Sequence, residues 1–213
     1  MGGIVDWHRF VLLIAAHFLA LLSPGPDFFL LMRYALLQGA RVAALASLGI
    51  ALANGVFIVA AIAGVTLLRD QPLAYALLYW SGCAYLAWLG WRFWHEPAPI
   101  LSQDAAVSNQ GTFSVSIRAP LITGFLSGIL NPKNALFYLA LFILIVGRDT
   151  PVVWQSACGL WMFFAVLCWD CALSAALGHP RVVARFSARL ALIQRASALI
   201  LWLISAGMLW SRV

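Results

Sequence analysis

Six stretches of this chain are each apolar for about the 20 residues that a helix needs to cross a bilayer. They run Phe10–Met32, Val42–Leu68, Leu73–Phe93, Leu121–Val146, Val152–Leu177 and Leu192–Trp210. In lipid every backbone N–H and C=O has to be satisfied within the structure, which leaves helices or closed barrels. Barrel strands alternate polar and apolar residues with period two, whereas these runs are apolar throughout. The expected fold is therefore an all-α integral membrane protein with six transmembrane helices. Composition agrees: the chain is 64% hydrophobic and 9% charged, against about 25% charged residues in a soluble domain. The N-terminus has no basic n-region and no small-residue cleavage site after a short apolar core, so the first run is expected to be a retained span.

The formal net charge of +6 does not gather into a basic stripe, which argues against nucleic acid as a partner. The arginines lie between the apolar runs and fit a topology role instead. Arg33 and Arg41 follow the first run, Arg92 and Arg118 flank the gap after the third, and Arg181, Arg185 and Arg189 fall between the fifth and sixth, with Arg195 at the start of the sixth on the same side. The other side holds only Arg9, Arg69, Arg148 and Arg212. By the positive-inside rule the first group is cytoplasmic and both termini are periplasmic. Trp7, Trp91, Trp94, Trp154 and Trp210 sit near predicted span ends, as an aromatic belt would.

The gap between the third and fourth runs is polar and turn-rich, and reads as a cytoplasmic linker at 95–119. It separates two halves, 1–94 and 120–213, with three spans each. An odd number of spans makes the halves enter the membrane in opposite senses, as an inverted repeat requires. Such a repeat demands matching interruptions in the first span of each half. The fourth run carries Asn131-Pro132-Lys133-Asn134, and the first carries Ser23-Pro24-Gly25-Pro26-Asp27. Proline removes a backbone donor and breaks the helical ladder. Paired interruptions in corresponding spans point to a transporter's central site.

Charge at these breaks sharpens the reading. Lys133 is the only lysine in the chain, and an ammonium at mid-membrane costs at least about 2.5–3.5 kcal/mol unless it faces a polar path. Asp27 has the opposite sign, and the pseudo-two-fold would bring the two near each other at the repeat interface. They could serve transport, or form a buried ion pair that only joins the broken helices. Freed carbonyls and half-helix N-termini at the breaks could hold the ammonium and carboxylate of a zwitterion, so an amino acid is a natural ligand. Asp170, in the fifth run, is either a proton carrier or a residue near the membrane surface paired with a loop arginine. Asn54 in the second run can hydrogen-bond across helices, as pathway residue or as structural glue.

Other chemistries find less in the sequence. Cys168-Trp169-Asp170-Cys171 is a C-x-x-C whose thiols share a helix face, a weak pointer to a membrane thiol oxidoreductase. Cys83 and Cys158 lie in apolar runs and read as buried small hydrophobes. His17 and His179 have no metal-ligand spacing, and a heavy-metal or cation exporter would need cysteines or carboxylates clustered at the breaks. Neither a G-x-S-x-G elbow nor a Walker A sequence occurs, so hydrolytic and ATP-driven chemistry have no support. No cofactor is implied, and the chain is not expected to be an enzyme. Scattered glycines, with Gly124-x-x-x-Gly128 leading into the fourth-run break, permit close helix packing. The outer apolar faces can pack on lipid or on a second copy of the chain, a homodimer.

Taken together the motifs resemble the LysE/RhtB family of bacterial amino-acid exporters. The likeness rests on Pro24-Gly25-Pro26-Asp27, on Gly39 and Leu48-Gly49-Ile50, on the segment from Gly82 to Gly90, and on Gly124-Phe125 followed by Asn131-Pro132-Lys133. It covers essentially the whole chain. The resemblance implies a six-helix inner-membrane protein that expels amino acids or their analogues, driven by the proton motive force. It also implies that Asp27, Asn131, Pro132 and Lys133 line the pathway, with Asn54 where relatives carry a polar residue.

Overall fold

The computed structural model describes residues 7–22, 25–68, 70–95, 118–147 and 149–210, and among these every regular element is helical. The elements are α1 (Trp7–Leu22), α2 (Pro26–Gln38), α3 (Ala40–Leu67), α4 (Pro72–His95), α5 (Arg118–Ile129), α6 (Pro132–Leu141) running into a π-helical turn (Phe142–Val146), α7 (Val152–Leu177) and α8 (Pro180–Trp210).

The two proline motifs break their helices where the sequence places them. Between α1 and α2 the chain bends by 56°, and between α5 and α6 by 61°. Pro26 and Pro132 each take the first helical position of the new helix, where a missing N–H costs nothing. Gly25 precedes α2 in an extended conformation, and Asn131 precedes α6 with its side-chain oxygen accepting from the Lys133 N–H at 3.1 Å.

Helix α3, the C-terminal part of α8 from Ala188, and α7 are each long and apolar enough to cross a membrane. Each bent pair adds a further candidate, which makes three to five spans and a multi-pass membrane protein. Helix α4 has the length but is rich in aromatic side chains with polar tips, among them Tyr75, Tyr79 and Tyr85, and is not one of these candidates. The outward faces are apolar, with Val59, Leu160, Phe164 and Leu203 exposed, as lipid contact requires. Trp91, Trp94, Trp154 and Trp210 are exposed close to helix ends.

One boundary differs from expectation. Residues 180–191 were assigned to a loop because of their arginines, yet α8 begins at Pro180 and the turn from α7 is only Gly178 and His179. Val183 and Leu190, seven residues apart, are buried against α2 and α3, while Arg185 and Arg189 are exposed. An amphipathic period holds this basic stretch in the helix. Of the expected linker, His95 and Arg118 are helical and residues 96–117 lie outside the described ones.

Helix α3 sits at the centre, packed most extensively on α5 and α7, while α4 pairs with α8. The α3–α5 crossing is exceptionally close. A Cβ at Gly49 would stand 2.1 Å from the Leu121 carbonyl oxygen, and one at Gly124 would stand 2.1 Å from that of Ala46. Only glycine allows backbones to touch in this way. Across α4 and α8, Ser205 Oγ donates to the Cys83 carbonyl at 3.0 Å and Trp202 Nε1 to that of Ala87 at 2.9 Å. Ser47 and Ser174 join α3 to α7 at 3.0 Å. Side-chain hydrogen bonds of this kind hold helices together where the hydrophobic effect between them is absent.

Candidate functional site

Each proline lacks the N–H that a carbonyl one turn upstream would receive in a continuous helix, and side chains of the site gather at these two carbonyls. In a continuous helix the Ala20 carbonyl would receive the N–H of residue 24, and that of Gly128 the N–H of residue 132. Both positions are proline and have none. Side chains from the second break reach both carbonyls, although that of Gly128 also accepts from the Asn131 N–H at 3.2 Å. Lys133 Nζ reaches the Ala20 carbonyl at 3.4 Å, so a cation lies at the C-terminal end of α1, the favourable end of its dipole. Asn134 Nδ2 reaches the Gly128 carbonyl at 3.5 Å.

The Asp27 carboxylate occupies the first turn of α2, where a helix favours negative charge. Its Oδ1 accepts from Ser127 Oγ at 2.6 Å, and its Oδ2 from Asn131 Nδ2 at 3.2 Å and Asn134 Nδ2 at 2.9 Å. Three neutral donors from the second break therefore hold the acid of the first. Lys133 takes a different course: beyond Ala20, its ammonium lies 5.4 Å from the centroid of the Phe93 ring. The Tyr85 hydroxyl donates to the Lys133 carbonyl at 3.1 Å, fixing the start of α6 against α4.

Between these groups is a cavity of about 60 Å³, room for a few water molecules. Gly25, Asp27, Asn54, Asn131, Lys133, Asn134 and Asp170 all line it, so most of the residues singled out by the sequence meet in one place. Pro24 lies outside the described residues. Pro26 and Pro132 are exposed and outside the lining, and shape the site by breaking the helices. Asp170 is 7% exposed and has no hydrogen-bond partner among the described residues. Asp170 thus faces the cavity, and no arginine is hydrogen-bonded to it among the described residues. Asn54 is 4% exposed, and its Oδ1 lacks a partner.

Sequence reasoning passed over four residues here. His17 is fully buried and lines the cavity, with Nε2 3.3 Å from the Tyr138 hydroxyl. A lone histidine in an apolar run was a legible signal, since intramembrane ionisable groups are costly. Ser127, Tyr138 and Tyr85 carried no such signal, because serine and tyrosine are common in apolar helices. Cys168 is exposed, Cys171 is partly buried, and neither lines the cavity. Among the described residues no group of three or more His, Cys, Asp or Glu stands together.

Known proteins share this chain's sequence over most of its length. It is 28% identical over 152 residues to a threonine efflux protein of Salmonella typhi, covering 71% of this chain and 70% of that one. A leucine efflux protein of Klebsiella pneumoniae is 30% identical over 144 residues, 66% of this chain and 65% of the relative. The threonine efflux protein of Escherichia coli K12 is 25% identical over 176 residues, with 81% and 84% covered. No solved structure matches the chain. Residues 18–212 match the model of the LysE type translocator, a span that takes in both proline breaks and every cavity-lining residue except His17. The chain therefore belongs to the LysE type translocator family, and it is a transporter and not an enzyme.

Proposed function

We propose that this protein exports amino acids or related small zwitterions across the bacterial inner membrane in exchange for protons. The observation that carries the reading is the cavity at the two helix breaks. It holds an ammonium, Lys133, and a carboxyl that receives no hydrogen bond among the described residues, Asp170, inside a largely apolar bundle. Groups this costly in lipid are retained for a ligand or a proton path. The relatives named for threonine and leucine efflux support an amino acid as cargo.

In this mechanism α4 is the third of six spans, and the two halves are inverted three-helix repeats with both termini periplasmic. The packing of α3 on α7 and of α4 on α8 supports this, since these are the pairs that a two-fold relating the halves would bring together. The breaks form a central site, and one half rocks on the other to expose it to each side in turn. Lys133 attracts the substrate carboxylate. Both oxygens of Asp27 are already engaged by donors, which leaves Asp170 as the carboxyl free to carry a proton.

The test is efflux from cells loaded with a panel of amino acids, with and without a protonophore. Protonophore-sensitive efflux of one compound class is expected. Lys133→Ala and Asp27→Asn should each abolish it while the protein still inserts in the membrane. Near-normal export by either variant would remove that residue from its assigned role at the central site.

A further inference from the structure

We infer that the Asp170 carboxylate and the Asn54 amide oxygen form the subsite for the substrate's ammonium group, facing Lys133 across the cavity, and that Asp27 is a clamp the substrate does not touch. This rests on the amino-acid reading above and assigns the parts of that site.

Three observations converge. First, the acceptors differ in how fully they are used. Asp27 receives three hydrogen bonds, from Ser127, Asn131 and Asn134. Asp170 receives none from a described residue, and Asn54 Oδ1 has no partner although the side chain is 4% exposed. A buried acceptor without a donor costs about 1–3 kcal/mol, more when charged, so both are poised for an incoming N–H group.

Second, both side chains line the same cavity from facing helices. Ser47 pairs with Ser174, and the spaces at Gly55 and Gly159 are filled by Phe163 and Ile58, so α3 and α7 run antiparallel. This register puts Asp170 about one and a half helical turns, roughly 8 Å, along the axis from the level of Asn54. One ammonium making two hydrogen bonds of about 2.8 Å spans about 4.6 Å between acceptors, so the two side chains close the rest of the interval as the substrate binds. Third, Lys133 lines the cavity as well and supplies the positive partner for the substrate carboxylate. When the site opens beyond its present volume of about 60 Å³, a zwitterion lies between α6 and the α3–α7 pair, with its two charges answered at opposite walls.

The ionisable groups around Asp170 are His17 on α1, Asp27 on α2, and Lys133 and Tyr138 on α6, while α3 offers only the neutral Asn54. Asp27 and Lys133 are the two charges that act on Asp170 across the cavity. Substrate and proton then meet on one carboxyl: the ammonium binds the ionised form on the inner side as the proton leaves there, and a new proton, taken up on the outer side when the substrate departs, is carried inward on the return leg.

The subsite separates amino acids from analogues that lack the ammonium. Purified protein in liposomes is assayed for exchange of labelled leucine and threonine, with the 2-hydroxy analogue of each as inhibitor. Asp170→Asn is expected to raise KM for the amino acid roughly ten- to hundredfold, the loss of a charge-assisted contact, with the inhibition constant of the 2-hydroxy acid changed less than about twofold. Asn54→Leu, which keeps the branching at Cγ and removes the acceptor, should act in the same direction with a smaller change. Equal weakening of both ligand types, or a wild-type KM in both variants, would overturn the subsite while leaving the exporter intact. Failure of the wild-type protein to exchange either amino acid would remove the amino-acid reading and the subsite with it.

Discussion

A single methyl group added at Gly49 should cost this protein more than the same group added elsewhere on the same helix. The new Cβ would stand 2.1 Å from the Leu121 carbonyl oxygen and 2.6 Å from the Phe125 amide nitrogen, both backbone atoms of α5. To restore even 3.0 Å to the oxygen, α3 and α5 must part by about 0.9 Å. Overpacking costs about 1–3 kcal/mol, and the upper end applies because no side chain can rotate out of the way. At roughly 2–4 °C per kcal/mol for a chain of this size, the unfolding midpoint should fall by about 6–12 °C. The shift also carries Ser127, on α5, away from Asp27, a contact of 2.6 Å, so export should fall with stability. Gly64→Ala is the control: nothing lies within 4 Å of its added Cβ, and helix propensity favours alanine by about 0.5–1 kcal/mol. Thermal unfolding in detergent, followed by a thiol-reactive dye, reads both variants. Cys83 is buried and reports unfolding, while the exposed Cys168 sets the baseline. Equal midpoints for Gly49→Ala and Gly64→Ala would refute the close crossing.

Further outcomes follow from the same contacts. Asn134→Leu removes one donor from Asp27 and one from the Gly128 carbonyl, and should lower stability by about 1.5–3 kcal/mol; an unchanged midpoint in the dye assay would show that these bonds hold nothing together. Tyr85→Phe deletes only the bond to the Lys133 carbonyl, so it should lower the midpoint by a cost of about 0.5–1.5 kcal/mol and leave export measurable. Replacing Cys168 and Cys171 together with serine should leave efflux unaltered, since neither lines the cavity; loss of efflux with normal insertion would revive a thiol role.

The helices were legible in the sequence because lipid leaves a long apolar run little choice, and both breaks were legible because proline cannot continue the ladder. Asp27, Lys133 and Asp170 stood out because a charge in an apolar run needs a reason. Their partners were harder to read. Asp27 and Lys133 invited an ion pair, but the asparagines flanking Pro132 and the hydroxyl of Ser127 take the carboxylate instead, and the carbonyl freed by Pro24 draws the ammonium toward α1. Those choices depend on the bend at each break, which local sequence does not specify. The helical start of α8 was misjudged for a related reason: arginines were weighed as loop markers, while the period that buries Val183 and Leu190 was overlooked.

The central claim is amino-acid export coupled to protons at the paired breaks, and reconstitution tests it most directly. Liposomes containing the purified protein, loaded with a pH-sensitive dye, would be given an imposed pH gradient and labelled threonine or leucine. The account predicts substrate accumulation on the acidic side, proton flow in the opposite direction, and loss of both with Lys133→Ala. Substrate movement with no accompanying proton flux, or none above protein-free liposomes, would contradict it.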